Sequence, residues 1–387
     1  MTGVLIVGSG VAGATAALTL RAEGYTGPVT VIGAESGLPY RRTALSKDLL
    51  AADLSAERIR LQKPEVWAAR DIDVVGGVAA VDVDPGARTL TLNDGRRLPY
   101  RALILATGGR PIRPDWLDEE VPSLRMLADA ERIRATIREH GGVVVIGGGL
   151  IGLELAASVA AAGLSAVVLE AGDRVLGRVV PAEVSEVVAA VHRDRGVRVH
   201  CGARVVSADP SGAVLADGTR IAGAVVAALG MVPNIGPARS AGAAVQRRGI
   251  VVDECLRTTV DGIYAAGDVA TGGAADGEHW FGAQDQGAAV ARSVLADFAG
   301  ESAPVYAQVP RAWTTQYDLT LQMVGAPTAD GEVAIDGDLA AGSATVTVTG
   351  PAGLLGAVTV GRAAAARELR ARLAAGLEAT GALGSTV

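Results

Sequence analysis

The chain has 387 residues, of which 49% are hydrophobic and 20% are charged, so it is long enough for two or three domains with packed cores. Its formal net charge is −7, and it has no basic stripe interleaved with aromatic residues, which argues against nucleic acid as a partner. The two cysteines, Cys201 and Cys255, form no paired motif, and the four histidines show no metal-ligand spacing. We therefore expect a cytoplasmic protein with no disulfide scaffold and no metal site, in which the cysteines are small buried apolar residues.

The chain opens with a strand, a glycine turn and a helix. An apolar run ends at Val7, and Gly8, Gly10 and Gly13 follow with the GxGxxG spacing before an alanine-rich helix and a second strand that ends at Glu35. In such a turn the first glycine permits the bend, the second lets a pyrophosphate approach the backbone, and the third lets helix and strand pack closely. Free N–H groups at the start of the helix, with about half a positive charge from its dipole, hold the phosphates. The alternative is a glycine turn in an ordinary α/β fold.

A β-rich segment follows this first motif. Residues 73–82 and 88–92 alternate apolar and polar side chains, and Asn93-Asp94-Gly95 is a turn signal, which predicts strands joined by a tight turn. Residues 103–108 read as a buried strand that ends on small residues, and prolines beyond it mark a linker.

The same strand, turn and helix then recur at a constant offset. Gly147, Gly149 and Gly152 follow an apolar strand, and the next strand ends at Glu170. Residues 143–169 carry a single charge, Glu154, and resemble a membrane span by hydropathy, but the glycines divide them into strand, helix and strand. Because there is also no basic leader at the N-terminus, we expect neither a membrane segment nor a signal peptide. Two such motifs indicate two dinucleotides held by one protein, and hence electron transfer between them.

The rest of the chain repeats the hairpin and adds a new pattern. Residues 213–230 again read as a hairpin and a buried strand, and 263–268 as a short buried strand that ends at Asp268. From about residue 312 we predict strands over 332–360 and a helix over 362–377. The predicted fold class is α/β, with two Rossmann-like dinucleotide-binding domains and a small α+β C-terminal domain. The predicted domains are 1–110 with 236–311, then 111–235, then 312–387.

Three acids follow predicted strands. Glu35 and Glu170 are placed to accept hydrogen bonds from an adenosine ribose, although each could also be a solvated surface acid. A carboxylate about 4 Å from a 2′-phosphate would repel it by up to about 4 kcal/mol per charge, so Glu170 favours NADH over NADPH. Arg174 and Arg178 oppose this preference, since either could reach a phosphate. Asp268 follows small residues that admit a ligand, and the alternative is a helix cap.

Together these residues resemble the FAD-dependent, NADH-dependent ferredoxin reductases that serve oxygenases and cytochrome P450 systems, within the glutathione-reductase-like flavoproteins. The resemblance covers about Val4 to Val324. It depends on both glycine motifs and on the segments Pro39–Lys47, Ala106–Gly108, Ile263–Asp268, Glu278–Trp280, Ala283 with Gln286-Gly287, and Trp313–Asp318.

The resemblance implies a role for particular residues of this chain. The implied FAD-binding residues are Gly8, Gly10, Ala12, Gly13, Glu35, Arg42, Lys47, Val78, Ala106, Thr107, Gly108, Gly267, Asp268 and Trp280. The implied NAD-binding residues are Gly147, Gly149, Ile151, Gly152, Glu170 and Gly230. The implied catalytic residues are Lys47 near the flavin ring, Glu154 near the nicotinamide and paired with Lys47, and Trp313 where electrons leave. From the residues alone, Glu154 is an ordinary helix residue and Trp313 a core residue.

The implied activity is electron transfer from NADH through FAD to a ferredoxin, a small iron–sulfur protein, by a monomer or homodimer. Hydride transfer to the flavin needs stacking and orientation more than acid–base chemistry, so Lys47 would stabilise the reduced flavin and Glu154 would position Lys47. Without a redox-active cysteine pair, a disulfide reductase mechanism is disfavoured. Several arginines could form a docking patch for an acidic ferredoxin or could be solvated surface residues: Arg41, Arg42, Arg110, Arg113 and Arg311.

Some positions depart from the family pattern. They are Arg41, Thr43, Ala44, Gly282 and Thr315, and they gather around the exposed face of the flavin. They leave cofactor binding intact but leave the electron acceptor open. The alternatives are an NADH-dependent flavin enzyme that acts directly on a small molecule or oxygen, and a flavoprotein that serves as a binding or signalling module.

Overall fold

The structure is a computed structural model that describes residues 2–51, 54–277 and 279–379. Its helices begin and end as follows: α1 (Val11–Ala22), α2 (Thr43–Lys47), α3 (Ala56–Ile59), α4 (Pro64–Ala69), α5 (Leu127–His140), α6 (Leu150–Ala161), α7 (Ala182–Asp194), α8 (Gly236–Ser240), α9 (Trp280–Ala299) and α10 (Ala363–Ala379), with a single 3-10 turn at Gly273–Ala275.

The strands that precede the second glycine turn include all those of the first predicted hairpin. They are β1 (Gly3–Val7), β2 (Val29–Gly33), β3 (Ile72–Gly76), β4 (Ala80–Asp84), β5 (Thr89–Leu92), β6 (Arg97–Leu105), β7 (Gly109–Pro111) and β8 (Gly142–Ile146). The later strands are β9 (Ser165–Leu169), β10 (Arg198–His200), β11 (Val205–Asp209), β12 (Gly212–Leu215), β13 (Arg220–Ala222), β14 (Val225–Ala227), β15 (Met231–Pro233), β16 (Val245–Gln246), β17 (Gly249–Val251), β18 (Ile263–Ala265), β19 (Ala270–Thr271), β20 (Arg311–Gln316), β21 (Leu319–Gly325), β22 (Glu332–Asp338), β23 (Ser343–Gly350) and β24 (Gly353–Val360).

The chain divides into two compact units. Unit 1 comprises residues 1–41, 56–110 and 232–310, and unit 2 comprises 42–55, 111–231 and the residues from 311 onward. The three domains that the sequence predicts stay a prediction, because the units are groups of mutually contacting residues and do not test where each domain begins. They differ from the prediction in grouping 42–55 and the C-terminal segment with the middle of the chain.

Unit 1 is built on a sheet in the order β3-β2-β1-β6-β5-β4, with β18 also paired to β6. The pairs among β3, β2, β1, β6 and β18 are parallel, and β6, β5 and β4 form an antiparallel meander. Strand β1 lies between two parallel strands and is buried along its length, as is typical of parallel sheets whose faces are covered by helices. Helix α1 packs against α9 through small residues, and a Cβ added at Gly287 would overlap the carbonyl group of Ala12.

Unit 2 contains a second parallel sheet, in the order β10-β9-β8-β14, and an antiparallel one, β11-β12-β13. Its C-terminal part is an antiparallel sheet in the order β20-β21-β24-β23-β22, followed by α10. The apolar run 143–169 folds as β8, α6 and β9, as predicted, and within the described residues no helix is long and apolar enough to cross a membrane. The predicted α/β fold, with two parallel sheets and an α+β segment at the C-terminus, is confirmed.

Candidate functional site

The two glycine turns have nearly the same backbone geometry. Gly8 has φ = 119° and its counterpart Gly147 has φ = 113°, a region that side-chain-bearing residues avoid. A Cβ on Gly13 would fall well inside 3.0 Å of the carbonyl oxygen of Gly8, and the pair Gly152 and Gly147 repeats this approach. Each turn therefore brings its helix against its strand as the sequence predicts.

The start of each helix is left open for a ligand. Gly10 precedes α1 with φ and ψ of −77° and −175°, and Gly149 precedes α6 with −80° and −173°. Neither helix has a side-chain cap or an acid in its first turn, and a Cβ on either glycine would meet nothing within 4 Å. The first N–H groups of both helices can therefore donate to phosphate oxygens.

The predicted ribose acids differ in their surroundings. Glu35 is half-buried and accepts a hydrogen bond of 2.5 Å from the hydroxyl of Tyr40. Glu170 accepts from the backbone N–H of Gly148 at 2.6 Å and from that of Gly172 at 2.7 Å, one on each carboxylate oxygen. Glu170 is thus fixed by the glycine turn that it serves, and neither acid is a freely solvated side chain.

Two arginines near Glu170 were predicted to oppose the choice of NADH. The guanidinium of Arg174 donates to the carbonyl of Val180 at 2.9 Å and to that of Gly177 at 3.2 Å, so it is committed to the backbone of its own loop. Arg178 lies with Nη2 3.8 Å from the position that a Cβ on Gly230 would occupy. Arg178 therefore lies beside Gly230, one of the implied NAD-binding residues. Ile151, another implied NAD-binding residue, is 40% exposed on α6.

In unit 1 the segment after β6 is clasped by a residue that sequence reasoning missed. The hydroxyl of Thr107 donates to the carbonyl of Asn234 at 2.7 Å, and the Asn234 amide returns a bond of 3.0 Å to the carbonyl of Thr107. The backbone N–H of Asn234 also donates to the carbonyl of Gly108 at 2.8 Å. Ala106 is buried beside Gly8, and Val78 donates its N–H to the carbonyl of Gly33.

The turn after β18 is also held from within. The buried amide of Gln286 accepts from the N–H of Gly267 at 2.7 Å and donates to the carbonyl of Ala275 at 2.9 Å. Asp268 follows this turn, and strand β19 comes next in the chain, so Asp268 does not start a helix of its own.

Helix α9 starts close to this turn, at Trp280. The residue that precedes it, His279, makes no side-chain cap, and no acid lies in the first turn of the helix. Burial lowers the pKa of His279, and the carboxylate of Asp268 opposes that shift. Glu278, which belongs to the same motif, lies outside the described residues.

In unit 2 the structure brings Lys47 and Glu154 together as an ion pair. Lys47 ends helix α2, and Glu154 lies one turn into α6 with only 5% of its surface exposed. The Glu154 carboxylate also accepts from the hydroxyl of Ser46 at 2.5 Å and from that of Thr314 at 2.7 Å. Three donors therefore surround a carboxylate that the sequence alone would place on an ordinary helix.

Trp313 lies beside the same lysine. The Lys47 ammonium is 5.3 Å from the centre of its indole ring, within the range of a cation–π contact. Strand β20 alternates, so Trp313 and Thr315 lie on one face while Thr314 and Gln316 are buried on the other. Sequence reasoning did not use the alternation of Thr314 and Gln316, which places two polar side chains on one face of the strand.

The predicted arginine patch is partly occupied by internal contacts. Arg113 donates to the carbonyls of Val121 at 2.9 Å and Asp118 at 2.6 Å, and Arg42 donates to the carbonyl of Arg125 at 3.3 Å. The docking role of the arginines stays a prediction.

The family model described as pyridine nucleotide-disulphide oxidoreductase matches residues 2–287. The chain belongs to this family. A second model, described as the reductase C-terminal, matches residues 311–383. The resemblance predicted from the motifs is confirmed, and the protein is an oxidoreductase that uses FAD and a pyridine nucleotide.

Among the similar proteins, a ferredoxin--NAD(P)(+) reductase of Sphingomonas sp is 36% identical over 89% of this chain and 86% of its own. Putidaredoxin reductase of Pseudomonas putida is 35% identical over 87% of this chain and 83% of its own. A solved structure, the covalent putidaredoxin reductase–putidaredoxin complex, matches with a TM-score of 0.89 and 31% identity over 97% of this chain and 93% of that one. This protein is thus similar to ferredoxin reductases along most of its length.

Proposed function

We propose that this protein oxidises NADH, holds the electrons on a bound FAD, and passes them to a ferredoxin that serves an oxygenase. The observation that carries the proposal is the duplicated glycine turn, with an open helix start in each unit of one chain. The similar proteins named as ferredoxin reductases supply the acceptor. The proposal extends to a cytoplasmic monomer or homodimer, which fits two cysteines that form no disulfide with each other.

The residues of unit 1 fit an FAD. Its helix start is uncapped, the second glycine of its turn faces open space, and Glu35 lies beyond the second strand as an acceptor for ribose hydroxyls. Asn234 bonds to Thr107 and Gly108, and Asp268 stands at a turn that Gln286 holds, so hydrogen bonds within unit 1 position both segments. A bound FAD would supply the redox chemistry that these residues lack, namely acceptance of two electrons from NADH and their release one at a time.

The residues of unit 2 favour NADH over NADPH. A 2′-phosphate would meet the carboxylate of Glu170, which two backbone N–H groups hold in place and which cannot swing away without losing both bonds. Because Arg174 is committed to two loop carbonyls, it is not placed to neutralise that phosphate. A ribose with free hydroxyls instead finds an oriented acceptor.

Lys47 and Glu154 form the proposed reactive pair. Glu154 holds the Lys47 ammonium by an ion pair, and Trp313 flanks the same cation. We assign to Lys47 the task of stabilising negative charge on the reduced flavin, and to Glu154 the task of orienting Lys47. Neither residue needs to transfer a proton for the hydride to move, so Lys47 contributes charge stabilisation and Glu154 contributes orientation, without acid–base catalysis.

The test is NADH oxidation by the purified protein, measured with and without a panel of small iron–sulfur proteins that includes putidaredoxin. We expect anaerobic NADH to bleach the flavin absorbance within seconds, and an iron–sulfur protein to raise turnover well above the rate with oxygen alone. High turnover that no ferredoxin increases would reject the carrier role in favour of direct action on oxygen or a small molecule. A flavin that stays oxidised for minutes in NADH would indicate a binding or signalling module.

A further inference from the structure

A chain of hydrogen bonds runs through unit 2 from Glu154 to the turn between β20 and β21. The hydroxyl of Thr314 donates to Glu154 at 2.7 Å, and the amide of Gln316 donates to Thr314 at 3.2 Å. His192, on helix α7, bonds through Nε2 to the amide oxygen of Gln316 at 2.8 Å. The hydroxyl of Tyr317 lies 3.3 Å from Nδ1 of the same ring. Four links therefore join the carboxylate of the proposed reactive pair to a surface turn.

The residues inside this series of hydrogen bonds are buried. Thr314 and His192 are 0% exposed and Gln316 is 2% exposed, yet each is polar and each has its partner within the chain. Apolar residues of similar volume would fill these positions without the cost of removing polar groups from water. A fully paired polar network in a core fixes the geometry of its members, which apolar packing would not do for a carboxylate.

Every link points toward Glu154. The amide oxygen of Gln316 can only accept, so Nε2 of His192 carries the hydrogen and Nδ1 is left to accept from Tyr317. A neutral ring is required for this pattern, and burial lowers the pKa of His192, with the bond to Gln316 opposing the shift. The sequence of donors ends on a carboxylate, where hydrogen bonds are strongest.

Tyr317, at the outer end of this series of hydrogen bonds, has a strained backbone conformation. Tyr317 has φ = 55°, in the left-handed region that an aromatic residue rarely adopts. Its ring packs edge-on against His192 with centroids 5.2 Å apart, and the guanidinium of Arg195 lies 4.9 Å from its centre. Arg195 is in turn bonded to Asp318 at 2.9 Å. Such strain persists only where surrounding contacts impose it, so the turn that carries Tyr317 is fixed from both sides.

We propose that Thr314, Gln316 and His192 are positioning residues that fix the carboxylate of Glu154 and, through it, the ammonium of Lys47. This inference rests on the proposed function, since it matters only if that pair assists reduction of the flavin by NADH. The three residues touch neither NADH nor the flavin in this scheme, and they act only through Glu154.

The first test compares two threonine-to-valine variants. Thr314→Val removes the donor to Glu154, and Thr359→Val is the matched control, because Thr359 is also buried, on β24, and its hydroxyl has no partner among the described residues. We expect Thr314→Val to lower the limiting rate of anaerobic flavin reduction at saturating NADH by about tenfold, equivalent to about 1.4 kcal/mol, with the apparent affinity for NADH unchanged. Thr359→Val should leave both quantities unchanged.

The second test replaces His192, which lies beyond Gln316 in the series of hydrogen bonds. His192→Gln retains an N–H that can donate to Gln316, whereas His192→Leu removes it, so the glutamine variant should keep most of the rate that the leucine variant loses. A residue with a purely structural role would lower the melting temperature or the flavin content in both variants and leave the rate per bound flavin unchanged. This pair also decides the matter if Thr314→Val fails to fold.

A third readout does not depend on activity. Nitrogen-15 NMR of the imidazole of His192, assigned with His192→Gln, should show a neutral ring protonated at Nε2 at neutral pH. In Gln316→Met the same ring should lose the signature of a strong Nε2–H bond.

The inference is overturned if NADH reduces the flavin equally fast in Thr314→Val and Thr359→Val. It is also overturned if the His192 ring is protonated at Nδ1. Failure of the proposed function is distinct, because it would show as a wild-type flavin that NADH does not reduce or as a ferredoxin that gains no electrons.

Discussion

Replacing Glu170 by glutamine tests how the second glycine turn selects its coenzyme. The carboxylate is half-buried and held at 2.6 and 2.7 Å by two backbone N–H groups, so its charge stays at the ribose end of the turn. A phosphate charge about 4 Å from it would be repelled by up to about 4 kcal/mol at an effective dielectric near 20, a factor of up to about 10³ in binding. Glu170→Gln removes that repulsion and also weakens the bonds to a ribose hydroxyl, each charge-assisted bond contributing about 1.5–3 kcal/mol.

We therefore expect the ratio of kcat/KM for NADH to that for NADPH to fall by between about tenfold and about a thousandfold, the lower bound reflecting solvent screening. The assay measures initial rates with each coenzyme at one fixed ionic strength. Asp173→Asn is the matched control, because Asp173 is an exposed acid three residues away from Glu170. An unchanged ratio in Glu170→Gln, or an equal change in Asp173→Asn, would refute the electrostatic account.

Three further predictions concern stability and cofactor loading. Gly13→Ala places a Cβ against a backbone carbonyl and should abolish flavin retention, read from the visible absorbance per protein, whereas Gly236→Ala, whose Cβ meets nothing within 4 Å, should retain flavin. Asp297 has a pKa lowered chiefly by its hydrogen bond from Arg257, so the stability it contributes is complete above the unfolded pKa of about 3.8 and is lost as pH falls through the lower folded value. Asp297→Asn should thus melt earlier than the wild type at pH 7, with the difference vanishing in acid; a constant difference across that range would contradict the linkage. Leu105→Ala opens a cavity at a side chain with no exposed surface and should cost about 2–5 kcal/mol in chemical denaturation, and a loss under about 1 kcal/mol would mean that the sheet collapses around the gap.

Much of the geometry of the two glycine turns could be predicted from the sequence, because it is set by residues close together in the chain. The positive φ at Gly8 and Gly147 and the close approach at Gly13 and Gly152 are demands that a few neighbouring residues impose, so a spacing of glycines reveals them. Strand assignments succeeded for the same reason, since apolar runs bounded by turn residues encode a buried strand within a single window. The position of Glu170 at the glycine turn also follows from the length of one strand and one helix.

The contacts of Asn234 and Gln286 could not be predicted in this way. Asn234 clasps Thr107 across 127 positions of the chain, and Gln286 reaches Gly267 over 19. An asparagine in a proline-containing segment, or a glutamine in a helix, is ordinary in sequence. Each became informative only when folding placed its amide against an unpaired backbone group.

The sequence by itself determined where this protein bends, which runs are buried and that two dinucleotides are bound, because steric and hydrophobic rules act between near neighbours. Only the tertiary structure decided that Glu154 receives Ser46 from 108 positions away and Thr314 from 160, and that His192 stands behind Gln316. Those contacts form when the fold brings together helices α2, α6 and α7 and strand β20, which are far apart in the sequence. Loop closure of that kind depends on the whole topology, so no short stretch of residues records it.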